Sequence, residues 1–156
     1  MQCNNNEGKC NGLAAALFNS VQAGIIVVDA DTKAITDINP SACIMIGVCA
    51  EEVIGKYCSE YLCVESCDGC PVMTTNLMEE IEDVEEKEIV IHRKDGSDVY
   101  SLLTINSMII DDKRLFINSL IDITKLRKVE KKLEESWSMA GKLLEDNIIK
   151  LKNGGS

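Results

Sequence analysis

The sequence predicts an α+β fold, and three observations carry that expectation. Two short β-branched runs precede a set of short helical segments, three longer strand-like runs joined by turn residues follow them, and the last segment changes from period two to a period of three to four. The expected order is two strands, several short helices, three antiparallel strands in a meander, and one long helix.

Each element has its own signal. Residues 1–12 combine Asn, Gly, Lys, Cys3 and Cys10 without apolar periodicity and read as a flexible leader. Residues 13–20 predict a short apolar helix. The run 24–29 is a continuous strand, Ala30-Asp31-Thr32-Lys33 supplies a turn, and 34–38 make the second strand of a hairpin. Asn39 then places a capping side chain directly before Pro40, whose fixed φ suits the first helical position, and Gly47 closes that helix. Residues 50–54 put Glu51 and Glu52 in a first turn, where acids complement the helix dipole, with Gly55 as the stop.

Residues 72–78 predict a helix, and the acidic stretch 79–88 its solvated end and a loop. Strand character resumes over 88–93. The Asp95-Gly96 pair marks a tight hairpin before a strand over 99–110, and Asp111-Asp112-Lys113 marks a second turn before the last strand at 115–123. Ile123, Leu126, Leu133, Trp137, Ala140, Leu144, Ile148 and Leu151 then recur three or four apart amid Glu and Lys. That is an amphipathic helix over 125–152 with a coiled-coil-like stripe about four heptads long. A parallel homodimer through Leu126, Leu133, Trp137, Leu144 and Leu151 is expected, the alternative being a helix packed back on its own domain. Residues 153–156, ending Gly154-Gly155-Ser156, read as an added tail.

Composition narrows the function. The 156 residues suit one domain, and 46% hydrophobic residues can fill one core. With 26 acidic against 16 basic residues the net charge is −10, which repels phosphate backbones and anionic lipid head groups, so neither nucleic acid nor a membrane is an expected partner. No apolar run approaches the roughly 20 residues of a membrane span. Met1 begins a polar, Asn-rich stretch with no secretory signal, so a cytoplasmic location with reduced thiols is expected.

Eight cysteines are the anomaly, and Cys58, Cys63, Cys67 and Cys70 fall within thirteen residues. In a reducing compartment clustered cysteines serve as metal ligands or redox centres more often than as crosslinks.

Five strings in this order resemble the PAS sensor domain family: Gly24-Ile25-Ile26-Val27-Val28-Asp29, Asn39-Pro40-Ser41-Ala42, Glu51-Glu52-Val53-Ile54-Gly55-Lys56, Arg93-Lys94-Asp95-Gly96 and Asp122-Ile123-Thr124. The resemblance covers residues 13–124, with the following helix in the position of a signalling linker. It implies a five-stranded antiparallel sheet with short helices on one face. It also implies a sensory and dimerisation module, not an enzyme, that belongs upstream of a kinase or other effector domain absent from this chain. Cys58, followed by Cys67-Asp68-Gly69-Cys70-Pro71, is similar to a bacterial subset of the family with a Cys-x-x-Cys-Pro loop, and Cys63 is an extra thiol.

Four thiolates at spacings this close can meet at one centre. The first reading is an iron–sulfur cluster on Cys58, Cys63, Cys67 and Cys70, sensing redox state or a gas, with Cys49 and Cys43 as reserve ligands. A structural zinc site and a metal-free thiol–disulfide switch remain open beside it. Catalytic thiol exchange by Cys67 and Cys70 would need a depressed thiolate pKa at a helix start, for which the sequence offers no signal. Cys43, on an apolar helix, reads first as a buried small hydrophobe, and Cys49 as a cap-position residue. Haem is not expected, because His92 is the one histidine and falls in a strand, nor is flavin, because the family's Asn-Cys-Arg-Phe-type string is missing. Asp122 and Thr124 stand where the sheet meets the last helix. Thr124 is the expected cap, and the resemblance implies that Asp122 couples the domain to the helix.

Overall fold

The computed structural model describes residues 7–62 and 84–155. Its elements are α1 (Glu7–Ser20), β1 (Gly24–Asp29), β2 (Ile35–Ile38), α2 (Pro40–Ile46), α3 (Ala50–Val53), α4 (Ser59–Leu62), β3 (Val84–His92), β4 (Asp98–Ile110), β5 (Lys113–Asp122) and α5 (Thr124–Asn153). The strands form one antiparallel sheet in the order β2-β1-β5-β4-β3. The last strand in sequence therefore lies at the centre, with Gly24–Asp29 on one side and the long β4 on the other.

Strand periodicity decides which face is buried. Ile26 and Val28 of β1, Val99, Leu103 and Ile105 of β4, and Phe116 and Leu120 of β5 alternate with more exposed neighbours. These inward side chains share one cluster with Ala42, Met45 and Ile46 of α2, Val53 of α3 and Leu62 of α4, so the short helices cover a single face. Each large side chain buried there is worth about 1.5 to 3 kcal/mol. The chain divides into two compact units, residues 1–122 and 123–156, and the buried cluster belongs wholly to the first.

The hairpin turns follow from local stereochemistry. Asp111 and Asp112 have φ of 50° and 60°, the two left-handed residues of a turn whose twist matches the flanking strands. Gly96 takes φ of 83° between β3 and β4, where its N–H donates to the Arg93 carbonyl.

Three boundaries differ from the sequence reading. Residues 7–12, read as leader, belong to α1; Gly8 and Gly12 are poor helix formers and mask the signal, while Glu7 suits a first turn. Residues 84–88, read as loop, are the first half of β3. Because β3 is a sheet edge, Glu86, Lys87 and Glu88 remain exposed in strand geometry, and charges there blunt edge-to-edge pairing. Ile123 occupies the N-cap position of α5, so Thr124 is the first helical residue and not the cap. The helix expected at 72–78 lies outside the described residues.

Candidate functional site

The site is built around α2, whose two ends are tied by side-chain hydrogen bonds to distant parts of the chain. At its N-terminus Asn39 is fully buried. Its Oδ1 accepts from the Ala42 N–H at 2.9 Å, the N-cap bond, and from the Ile25 N–H at 2.8 Å. Its Nδ2 donates to the Phe18 carbonyl at 3.1 Å and the Ala23 carbonyl at 2.9 Å. One side chain thus ties the end of α1, the entry to β1 and the start of α2 together. At the other end Arg93 donates from Nε to the Met45 carbonyl and from Nη2 to the Ile44 carbonyl, both at 2.9 Å. A cation on the last carbonyls of a helix satisfies orphan acceptors and opposes the negative end of the dipole. Gly47, with φ of 77°, lets the chain turn under that arginine.

Between these two pins α2 faces β1 closely: a Cβ at Gly24 would lie 3.0 Å from both Ala42 Cα and Met45 Sδ. A third tie, the exposed Lys94 Nζ to Glu52 Oε2 ion pair at 3.3 Å, joins the β3–β4 turn to α3.

The cysteines divide by environment. Cys58 is 2% exposed and sits inside the apolar cluster directly before α4. Its N–H donates to the Lys33 carbonyl at 3.3 Å, and its own carbonyl accepts from the Tyr61 and Leu62 N–H groups. Cys43 is half-buried against the cluster, and burial first, then the neighbouring Cys49 and Glu51, raise its thiol pKa, which favours the protonated, unreactive form. Cys49 is exposed, at the N-cap of α3. Cys63, Cys67 and Cys70 lie outside the described residues. Among the described residues no three His, Cys, Asp or Glu side chains converge as a metal site.

Two polar side chains interrupt the inner face of the sheet. Asn118 is 1% exposed and donates from Nδ2 to the Ile26 carbonyl at 3.3 Å, and Ser101 is fully buried on β4. Sequence reasoning missed both, although each stands in phase with inward apolar neighbours, Asn118 between Phe116 and Leu120 and Ser101 between Val99 and Leu103. His92 is exposed and pairs through Nδ1 with Asp98 Oδ1; its neighbour Ile91 is the inward residue of β3, so the imidazole belongs to the opposite face. Asp122 ends β5, directly before the α5 unit. No helix among the described residues is long and apolar enough to cross a membrane.

A sheet ordered 2-1-5-4-3 with helices on one face is accompanied by a family-level match: residues 22–125, more than half of the chain, fit the PAS domain family. The chain belongs to the PAS domain family. No curated protein matches it. Among solved structures it is similar to the PAS domain of an HTR-like protein from Haloarcula marismortui, at 20% identity and a TM-score of 0.62, covering 74% of this chain and 99% of that one. It is also similar to an RNA-binding light-oxygen-voltage receptor, at 16% identity and a TM-score of 0.67, covering 88% of this chain and 40% of the receptor. The PAS domain of nitrogen regulation protein NR(II) from Vibrio parahaemolyticus is similar at 14% identity and a TM-score of 0.56, covering 71% of this chain and 98% of that one. At these identities the structural likeness speaks to the fold, and the family match makes the chain a PAS sensory domain.

Proposed function

We propose that this PAS domain is a cytoplasmic redox or gas sensor whose receptor is an iron–sulfur cluster on Cys58, Cys63, Cys67 and Cys70, and whose output passes as a homodimer through α5 to an effector domain such as a kinase. The observation that carries the reading is the placement of Cys58. It is anchored in the core, bonded through its backbone to the turn before β2, and it is followed within twelve residues by the three other thiols. Four thiolates are the ligand set such clusters take, and a core-anchored ligand couples whatever the thiols hold to the sheet. Bound there, a cluster supplies one-electron chemistry. The chain's own part is mechanical: a change at Cys58 acts on the Lys33 carbonyl and on the first turn of α4, and from there on the sheet, which ends at Asp122; Asp122 and Thr124, the first residue of α5, are the coupling residues.

The decisive experiment is anaerobic purification followed by an absorption spectrum and by iron, sulfide and zinc analysis. Brown protein with iron and acid-labile sulfide, lost in Cys67→Ser and Cys70→Ser and retained in Cys43→Ala, supports the cluster. Colourless protein with one zinc per chain replaces it with a zinc-stapled dimerisation module. Colourless, metal-free protein that cannot be reconstituted, with a loop disulfide that forms in air, replaces it with a thiol–disulfide switch.

A further inference from the structure

Two thiols that the proposed cluster does not use, Cys43 and Cys49, stand at the corner where α2 hands over to α3. The chain folds back on itself there. The Cys43 carbonyl accepts from the Gly47 N–H at 2.8 Å and from the Val48 N–H at 3.1 Å, while Gly47 takes φ of 77°. The bond from Val48, five residues on, returns the chain to the level of Cys43, and Cys49 is the next residue. Cys49 has extended backbone, φ −86° and ψ 152°, at the N-cap of α3, and its side chain makes no capping bond. Its thiol is exposed, that of Cys43 is half-buried against the core, and both are reduced. The two groups are near enough for charge on Cys49 to raise the Cys43 pKa. A disulfide needs Cα atoms about 4.4 to 6.8 Å apart. At this spacing an extended chain, about 20 Å long, and a continued helix, with about 9 Å of rise, both miss that range, so only a reversed chain can meet it.

We infer that Cys43 and Cys49 are a peroxide-modification site, closing a reversible disulfide across the α2–α3 corner that is separate from the Cys58–Cys70 centre. The oxidant is a hydroperoxide. The exposed Cys49 Sγ, as thiolate, attacks its outer oxygen; the O–O bond breaks, the leaving oxygen takes up a proton, and Cys49 becomes a sulfenic acid. Cys43 Sγ, the resolving thiol, then attacks the Cys49 sulfur; the S–O bond breaks, and hydroxide leaves with the Cys43 proton as water. Two thiols and hydrogen peroxide thus give one disulfide and two waters, the sulfurs losing the two electrons that the peroxide gains. The ring so closed contains Ile44 and Met45, whose carbonyls seat Arg93, and Gly47 beneath it. Its far end is the cap of α3, which carries Glu52, the partner of Lys94. Oxidation therefore fastens together the two helices on which the β3–β4 turn rests.

Trypsin separates the two groups of thiols: residues 34–56 form one peptide whose only cysteines are Cys43 and Cys49, and residues 57–87 another with Cys58, Cys63, Cys67 and Cys70. The full chain, reduced, is treated with hydrogen peroxide, blocked with an alkylating agent, digested and weighed by mass spectrometry, once folded and once in concentrated urea. The 34–56 peptide is expected to take two alkyl groups before peroxide and none after it, with the loss of two hydrogens, and dithiothreitol to restore both. Closure is expected to be about tenfold or more faster in the folded chain, where the corner holds the thiols together. Cys43→Ser is expected to leave Cys49 as a sulfenic acid that dimedone captures. A 34–56 peptide that keeps both alkyl groups under a large excess of peroxide overturns the site, whatever happens to the 57–87 peptide. A 34–56 peptide joined to another peptide overturns the pairing, and closure no faster in the folded chain than in urea overturns the role of the corner. Loss of the cluster reading in the anaerobic spectrum changes none of these outcomes, because the two peptides are read separately.

Discussion

The Asn39 side chain makes four hydrogen bonds from full burial, and two of its partners, Phe18 and Ala23, precede the first strand in the chain. Asn39→Ala removes an N-cap and strands four backbone groups, so a loss of about 2 to 4 kcal/mol in urea-measured stability is expected. Asn39→Asp keeps the two acceptor bonds but turns a carboxylate toward the Phe18 and Ala23 carbonyls, and is expected to be nearly as damaging. Two carboxyls set a milder acid sensitivity. The Thr32 N–H above all, helped by that of Asp31, holds the Asp29 carboxyl below its usual pKa against the opposing effect of burial, which outweighs the Asp31 bond taken alone; the Ser97 hydroxyl and N–H lower that of Asp95. For a depressed carboxyl the stabilisation is complete above the unfolded pKa of about 4 and is lost as pH falls through the lower folded value. Stability followed from pH 6 to pH 2 should therefore drop on the acid side, and the double variant Asp29→Asn/Asp95→Asn should flatten that drop.

Between elements, the tightest fit is that of α2 on β1. Gly24→Ala would drive a Cβ to 3.0 Å from Ala42 Cα, a backbone atom that cannot swing away, and about 1 to 3 kcal/mol of destabilisation is expected in a thermal or urea melt. The β4–β5 turn gives a change of opposite sign. Asp112 holds φ of 60°, where a Cβ is unfavourable, so Asp112→Gly should raise stability by about 0.5 to 1 kcal/mol. Much of this level was legible in the sequence. The β-branched run of β1, the Asn39-Pro40 start and Gly47 stop of α2, and both hairpin turns each rest on a local stereochemical preference, and the structure places them there. What was not legible depends on distance or on context. Arg93 reaches carbonyls 48 and 49 residues earlier, which no local pattern encodes. The charged half of β3 reads as loop because edge strands tolerate a polarity that central strands do not. For the candidate site, the sequence supplies the chemistry of the four thiols, whereas the burial of Cys58 comes only from the fold, since a cysteine between Tyr57 and Ser59 carries no local burial signal.

At the scale of the whole molecule, the core and the C-terminal helix α5 are separable in composition. Every residue of the buried apolar cluster lies between Ile26 and Leu120, and the sheet is closed by β5, whose pairings end at Asp122 with Ser101. The helix α5 contributes no buried residue of its own, yet it carries the long apolar stripe. A chain ending at Lys125 keeps every strand pairing and Ile123 while losing the whole apolar stripe from Leu126 onward. It is therefore expected to melt within a few degrees of the full chain and with the same urea midpoint, because deleting exposed residues removes little buried area. Its association should fall, since the sheet needs no helix for its pairing whereas the proposed dimer does. Sedimentation equilibrium of both proteins over the same concentration range checks the second half, and circular dichroism melts check the first. A truncated chain that unfolds would show that α5 stabilises the sheet directly. A truncated chain that still dimerises as tightly as the full one would place the dimer contact within residues 1–125 and leave the apolar stripe of α5 to a different partner.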